Sequence, residues 1–112
     1  MQLTNLLYVD DDSTWRGLGQ RRFSRELTPN VDVAVDYDSA LGKIRKTRYD
    51  LIVLDSLEGD YFRVHQDIKD IPHGDVVIFS GDFRIQAEAK KLGIPFYQKP
   101  QDLDKLVATY KK

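Results

Sequence analysis

Short apolar runs alternate with amphipathic stretches from one end of the chain to the other. "LLYV", residues 6–9, is apolar at every position, as a strand covered on both faces would be. From residue 13 to about 26 a polar start leads into Trp15, Leu18 and Phe23. That spacing predicts a helix capped by Asp12 or Ser13, with those three side chains inward. Val31, Val33 and Val35 alternate with Asp32 and Ala34, a second strand. Residues 39 to about 47 predict a helix burying Leu41 and Ile44. "DLIVL", residues 50–54, predicts a third strand. Val64, Ile68 and Ile71 fall at helical spacing within residues 61–71, and Pro72 would stop that helix. "VVIF", residues 76–79, is a fourth strand. Residues 84–92 predict a helix ended by Gly93. Residues 96–98 form a short fifth strand, and Leu103, Leu106, Val107 and Tyr110 stripe a final helix.

Five βα units in a row, with strands apolar on both faces, predict an α/β fold. The specific expectation is a flavodoxin-like, doubly wound, five-stranded parallel sheet in a three-layer α/β/α sandwich. In such a sheet the ligand sits beyond the carboxyl ends of the strands. The 112 residues suit one domain, and no repeat, low-complexity tract or linker divides them.

Composition narrows the function. A net charge of -1 argues against broad nucleic-acid binding. No cysteine is present, which excludes disulfides and thiolate chemistry, and two histidines are too few for an all-histidine metal site. No apolar run approaches the roughly 20 residues of a membrane span, and the start lacks the pattern of a secretory signal. A cytoplasmic protein that contacts no membrane is the expectation.

The strand ends carry the chemistry. Asp10, Asp11 and Asp12 follow the first strand, Asp55 the third, Ser80 and Gly81 the fourth, and Lys99 and Pro100 the fifth. If the sheet is parallel, all face one crevice. Asp10, Asp11 and Asp55 offer the hard oxygen ligands that Mg²⁺ prefers. A hydroxyl and an ammonium beside them could hold phosphoryl oxygens, and positioning with charge neutralisation is most of phosphoryl-transfer catalysis. Taken singly, each aspartate is better explained by capping a strand end; the three together with Ser80 and Lys99 are not. Asp12, just before a polar helix start, reads as an N-cap rather than a ligand.

"LLYVDDDS", "YDLIVLDSLEG", "VVIFSGD" and "FYQKP" resemble, in order and spacing, the motifs of response-regulator receiver domains, over nearly the whole chain. The resemblance implies that Asp55 is the phosphoacceptor. Asp10, Asp11 and Asp55 would hold Mg²⁺, with the Leu57 backbone carbonyl as a further ligand. Ser80 would be the family's hydroxyl and Lys99 the partner of the phosphoryl group. Phe96 falls where the family often has a switch aromatic. The implied donor is a histidine kinase or histidine phosphotransfer protein, and the output is a downstream protein target. Such a domain is a monomer or weak dimer. It is not a conventional enzyme, although it catalyses its own aspartyl phosphorylation and dephosphorylation. Arg16, Arg21, Arg22 and Arg25 lie on the first helix, which the family uses for donor docking; a solvated face is the plain alternative. The chain also departs from the family pattern. The loop after Asp55 lacks the common proline, the stretch from Asp55 to Ser80 is a few residues short, the last helix is short, and Phe96 has no hydroxyl.

Two other readings compete. "DDDST" also fits the DxDxT pattern of haloacid-dehalogenase-type phosphohydrolases, with Asp10 as nucleophile and Asp12 as acid/base, but Asp55 would then have no role. A receiver-like module that binds partners without phosphorylation is the third. Of the remaining polar residues, His65 reads as a surface helix residue and His73 as loop. Trp15 reads as half-buried packing within about one helical turn of the acidic cluster.

Overall fold

A computed structural model of the protein describes residues 3–111. Five strands form one parallel sheet in the order β2-β1-β3-β4-β5. They are β1 (Leu6–Val9), β2 (Val31–Ala34), β3 (Leu51–Leu54), β4 (Asp75–Ser80) and β5 (Phe96–Gln98). Five helices connect them: α1 (Ser13–Glu26), α2 (Tyr37–Lys46), α3 (Tyr61–Asp67), α4 (Gln86–Leu92) and α5 (Leu103–Tyr110). The predicted doubly wound three-layer architecture is what the chain adopts. Among the described residues, no helix is long and apolar enough to cross a membrane.

The period of two along each strand builds two cores. Leu7, Val9, Ile52, Leu54 and Ile78 point to one side, where Leu41 and Ile44 of α2, Val64 of α3 and Ala89 of α4 cover them. Leu6, Tyr8, Leu51, Val53, Val77 and Phe79 point to the other, under Phe23 of α1 and Leu106 and Val107 of α5. Each fully buried Leu, Ile, Val or Phe contributes about 1.5–3 kcal/mol relative to exposure, which makes these two layers the main source of stability. β1, β3 and β4 are central and pair on both sides, so the residues that follow them leave the sheet from fixed positions.

Several local expectations give way to capping and pairing. Leu18 is 44% exposed, not inward. The buried stripe of α1 runs through Trp15, Gly19 and Phe23, four residues apart, and Leu18 lies one position off it. Val35 is 43% exposed and outside β2, because the pairing with β1 ends at Val9 and Ala34. Its N–H instead reaches Ser39 Oγ, part of a reciprocal cap between Asp36 and Ser39 that starts α2 at Tyr37, earlier than expected. Helix α3 stops at Asp67 rather than near residue 71. The chain turns there, with the Ile71 N–H on the Ile68 carbonyl at 2.9 Å, since the residue before Pro72 is biased away from helix. Helix α4 starts at Gln86, after a 3-10 turn over Phe83–Ile85 capped by Asp82. It ends as expected at Gly93, in the left-handed region with φ 75°.

Candidate functional site

The carboxyl ends of β1, β3, β4 and β5 converge on one acidic centre. The Asp55 N–H donates to the Val9 carbonyl at 2.8 Å, which sets the ends of β1 and β3 side by side. On the other flank the Lys99 N–H donates to the Ser80 carbonyl at 2.9 Å. Asp10, Asp55 and Ser80 are all buried. The Lys99 ammonium, on a side chain 8% exposed, bridges Asp10 Oδ2 at 2.6 Å and Asp55 Oδ1 at 2.8 Å. It also lies 5.2 Å from the Trp15 ring centre and 5.5 Å from that of Phe79, two aromatic faces that favour a cation there. The Lys99–Pro100 peptide bond is cis.

Carboxylate oxygens of Asp10, Asp11 and Asp55 lie within 4.8 Å of one another. Asp11 is exposed and, among the described residues, makes no ion pair. Three carboxylates against one ammonium leave two negative charges uncompensated within the cluster, and their oxygens are the hard donors that a divalent cation takes. The residues present therefore fit such an ion. The Leu57 carbonyl, the further expected ligand, accepts the Asp60 N–H at 3.0 Å and keeps one lone pair.

The loop after Asp55 is turned by three successive residues in the left-handed region: Leu57 (φ 50°), Glu58 (φ 53°) and Gly59 (φ 100°). Only the last is suited to it, and the two others cost about 1–2 kcal/mol each. The turn buries the Leu57 side chain and directs its N–H to Asp55 Oδ2 at 3.3 Å. Beside it opens a cleft of about 640 Å³ lined by Asp11, Asp55, Ser56, Glu58, Asp82 and Arg84, among others. Ser80 Oγ accepts the Asp82 N–H at 3.0 Å. Asp82 in turn caps the next turn and holds Arg84 through both carboxylate oxygens, at 2.8 and 3.1 Å, which lowers the Asp82 pKa.

Comparison with solved structures decides the architecture. A response-regulator receiver domain from Methylobacillus flagellatus superposes with a TM-score of 0.79 at 19% identity, over 98% of this chain and 100% of that one. The chain has the receiver-domain fold. A Burkholderia pseudomallei response regulator solved with a phosphorylated aspartic acid, calcium ion and citrate matches with a TM-score of 0.77 at 21% identity, over 97% of this chain and 67% of that one. The response regulator TrrA of Thermotoga maritima, solved in complex with Mg²⁺-BeF, gives 0.74 at 19%, over 97% and 96%. No family model matches the sequence, and no curated protein matches it.

On the receiver fold each expected residue has a definite place. Asp10, Asp11, Asp55 and Lys99 come together, and Ser80 is buried at the adjoining strand end. Asp12 accepts the Thr14 and Trp15 N–H groups at 2.9 and 3.1 Å, so it is the N-cap of α1. Phe96 is half-buried at the start of β5, packed on the core under α2, α3 and α4. Of the four arginines, Arg16 is set apart from the other three, which lie at helical spacing on one side of α1. Arg16 donates to the Asp10 carbonyl at 2.9 Å, and Arg22 binds Glu26 and, at 2.7 Å, Asp104 of α5. Arg21 and Arg25 remain exposed. The hydrolase alternative fits poorly: Asp10 is wholly buried while Asp55 lines the open cleft, and Asp12 is committed to the helix. His65 is half-buried, not a surface residue, and its Nδ1 is enclosed without a hydrogen-bond partner.

The sequence reading missed Tyr8. It is fully buried, and its hydroxyl donates to Asp10 Oδ2 at 2.5 Å. Burial, and then the hydrogen bond to Asp10, push its pKa far above the ordinary phenol value, so it remains a donor. The signal was there in the strand period: residues 8 and 10 share one face of β1. Glu58, Asp82 and Arg84 were missed as well, because they lie on loops whose course the strand pattern does not set.

Proposed function

We propose that the protein is a phosphoacceptor signalling domain in which Asp55 takes a phosphoryl group from a phosphohistidine of a histidine kinase or phosphotransfer protein. The observation that carries this reading is the Lys99 ammonium held between Asp10 and Asp55 beside an open cleft. In the step, an Asp55 oxygen attacks phosphorus in line with the departing imidazole nitrogen. The P–O bond forms, the P–N bond breaks, and the electron pair leaves on the imidazole. Lys99 then holds a phosphoryl oxygen, and the Ser80 hydroxyl, released from the Asp82 N–H, donates to another. Asp10, Asp11 and Asp55, with the Leu57 carbonyl, would hold Mg²⁺. When bound, that ion would offset charge on the transferring group. The same residues would position the water that later hydrolyses the acyl phosphate. The movement of Ser80 would be passed to Phe96 and to the surface of α4, β5 and α5, where a downstream protein binds. The Mg²⁺-BeF complex and the phosphorylated aspartate with calcium in structures of the same fold support the reading.

The test is intact mass after incubation with Mg²⁺ and acetyl phosphate or phosphoramidate. One added phosphoryl group, lost in Asp55→Asn and prevented by EDTA, is the expected result. An adduct that survives Asp55→Asn but not Asp10→Asn would restore the hydrolase reading. No adduct, with no Mg²⁺-dependent change in Trp15 fluorescence, would leave an interaction module that works without phosphorylation.

A further inference from the structure

Three donors already serve the Asp10 carboxylate. Oδ2 accepts both the Tyr8 hydroxyl at 2.5 Å and the Lys99 ammonium at 2.6 Å, and Oδ1 accepts the Asp12 N–H at 2.9 Å. A carboxylate oxygen offers two lone pairs, so Oδ2 is full and Oδ1 has one place left. Asp10 is wholly buried, so water does not screen what these donors do.

The Tyr8 hydroxyl is a built feature. Its ring packs edge-on against Phe23, with centres 5.4 Å apart, on the core side of β1. Room for it comes from Gly19 in the middle of α1, a position where glycine weakens a helix. A Cβ on Gly19 would stand 2.3 Å from Tyr8 Cε2. Phenylalanine would fill the same space, so packing does not account for the hydroxyl; its hydrogen bond to Asp10 does.

We propose that Tyr8 is a positioning residue that restrains the divalent-cation affinity of the acidic site by occupying Asp10. The hydroxyl turns the positive end of its dipole toward the cluster and fills the lone pair that a cation would otherwise share. Asp11 and Asp55 are then the carboxylates a cation reaches most readily, and Asp10 stays tied to Lys99. Removing the hydroxyl makes the site more negative and frees one lone pair of Oδ2, the other staying with Lys99. The Asp12 N–H and Lys99 still orient the carboxylate, so the usual loss from a missing supporting hydrogen bond is offset.

The inference rests on the cation site proposed above, and the experiment separates the two. Mg²⁺ is titrated into wild type and Tyr8→Phe, read by Trp15 emission and by calorimetry, without any phosphodonor. Tyr8→Phe is expected to bind about tenfold more tightly, the size of one hydrogen bond to a charged group. Gly19→Ala, which forces the ring and hydroxyl off Asp10, is expected to move in the same direction. In an Asp10→Asn background, Tyr8→Phe is expected to change nothing, which a merely structural role would not produce. Equal or weaker binding by Tyr8→Phe, with wild type binding normally, overturns the inference alone. No Mg²⁺ binding by either protein overturns the cation site and the inference with it.

Discussion

Lys99 Nζ lies 2.8 Å from Asp55 Oδ1, although 44 positions separate the two residues in the chain. The sheet order brings them together: β4 lies between β3 and β5, and the Ser80 carbonyl fixes the Lys99 backbone. Because Asp10 is wholly buried and Lys99 nearly so, the pair is poorly screened. Removing one partner leaves the other's charge unpaired, which costs about 3–5 kcal/mol. Lys99→Met is therefore expected to lose about 3 kcal/mol in urea denaturation at neutral pH. Millimolar Mg²⁺ should restore part of the loss, because a cation can then face Asp10 and Asp55. An unchanged midpoint without Mg²⁺ would mean that the ion pair does not hold the strand ends together.

Gly74 meets a harder limit. A Cβ there would stand 2.2 Å from the Asp50 carbonyl oxygen, against backbone that β3 and β4 hold in register. The Gly74 N–H also donates to the Tyr49 carbonyl at 2.7 Å, which pins its position. Gly74→Ala is expected to lose about 3 kcal/mol, the upper end of ordinary overpacking. A Cβ on Gly42, inside α2, would meet nothing within 4 Å. Gly42→Ala is therefore expected to gain about 0.5–1 kcal/mol from helix propensity. Urea midpoints of the two variants should move in opposite directions.

The strands and their order were legible because each is a short run with one dominant cause, burial on both faces. The site was legible wherever a residue lies at or just past a strand end: Asp10, Asp11, Asp55, Ser80 and Lys99 inherit their positions from the sheet. What the pattern missed depends on contacts that have no period. Leu18 and Val35 are apolar, but one lies off the stripe of α1 and the other beyond the last rung of β2. The arginines of α1 divide: positions 21, 22 and 25 lie at helical spacing on one side, whereas Arg16, about one and a half turns earlier, reaches back to the Asp10 carbonyl. Tyr8 read as core and is core; that its hydroxyl also serves Asp10 depends on Gly19 in the next element, which no local pattern joins to it.

Asp50 ties the entry of β1 to that of β3. Its Oδ2 accepts the Thr4 and Asn5 N–H groups at 2.8 and 3.1 Å, and Arg48 reaches Oδ1 at 2.7 Å. These bonds to the charged form, the Thr4 N–H first, hold its pKa below the ordinary carboxylate value. A lowered native pKa gives stability that is present above the unfolded value of about 3.9 and lost as pH falls from there through the native value. Asp50→Asn is expected to be less stable than wild type at pH 7, and the gap should close in acid below about pH 3.9. Thermal melts across pH 2–7, an interval of about five units around that value, check it. A gap independent of pH would show that the carboxylate charge plays no part.

His65 predicts a slope of the same sign at milder pH, from a cost rather than a gain. Its ring is half-buried on α3, its Nδ1 has no partner, and burial, then Lys69 and His73, lower its pKa. The unfolded chain takes up the proton near pH 6.5, while the native state resists it until a lower pH. Wherever the unfolded state binds more protons, stability falls with falling pH. The contribution of His65 is therefore flat above about pH 6.5 and increasingly unfavourable below it, down to the native pKa. His65→Leu removes both the titration and the enclosed, unpaired nitrogen. It is expected to raise the melting temperature more at pH 5.5 than at pH 8, two values that bracket the unfolded pKa of about 6.5. An equal rise at both would assign the effect to packing, and a fall at pH 5.5 would mean that the protonated ring finds a partner in the native state.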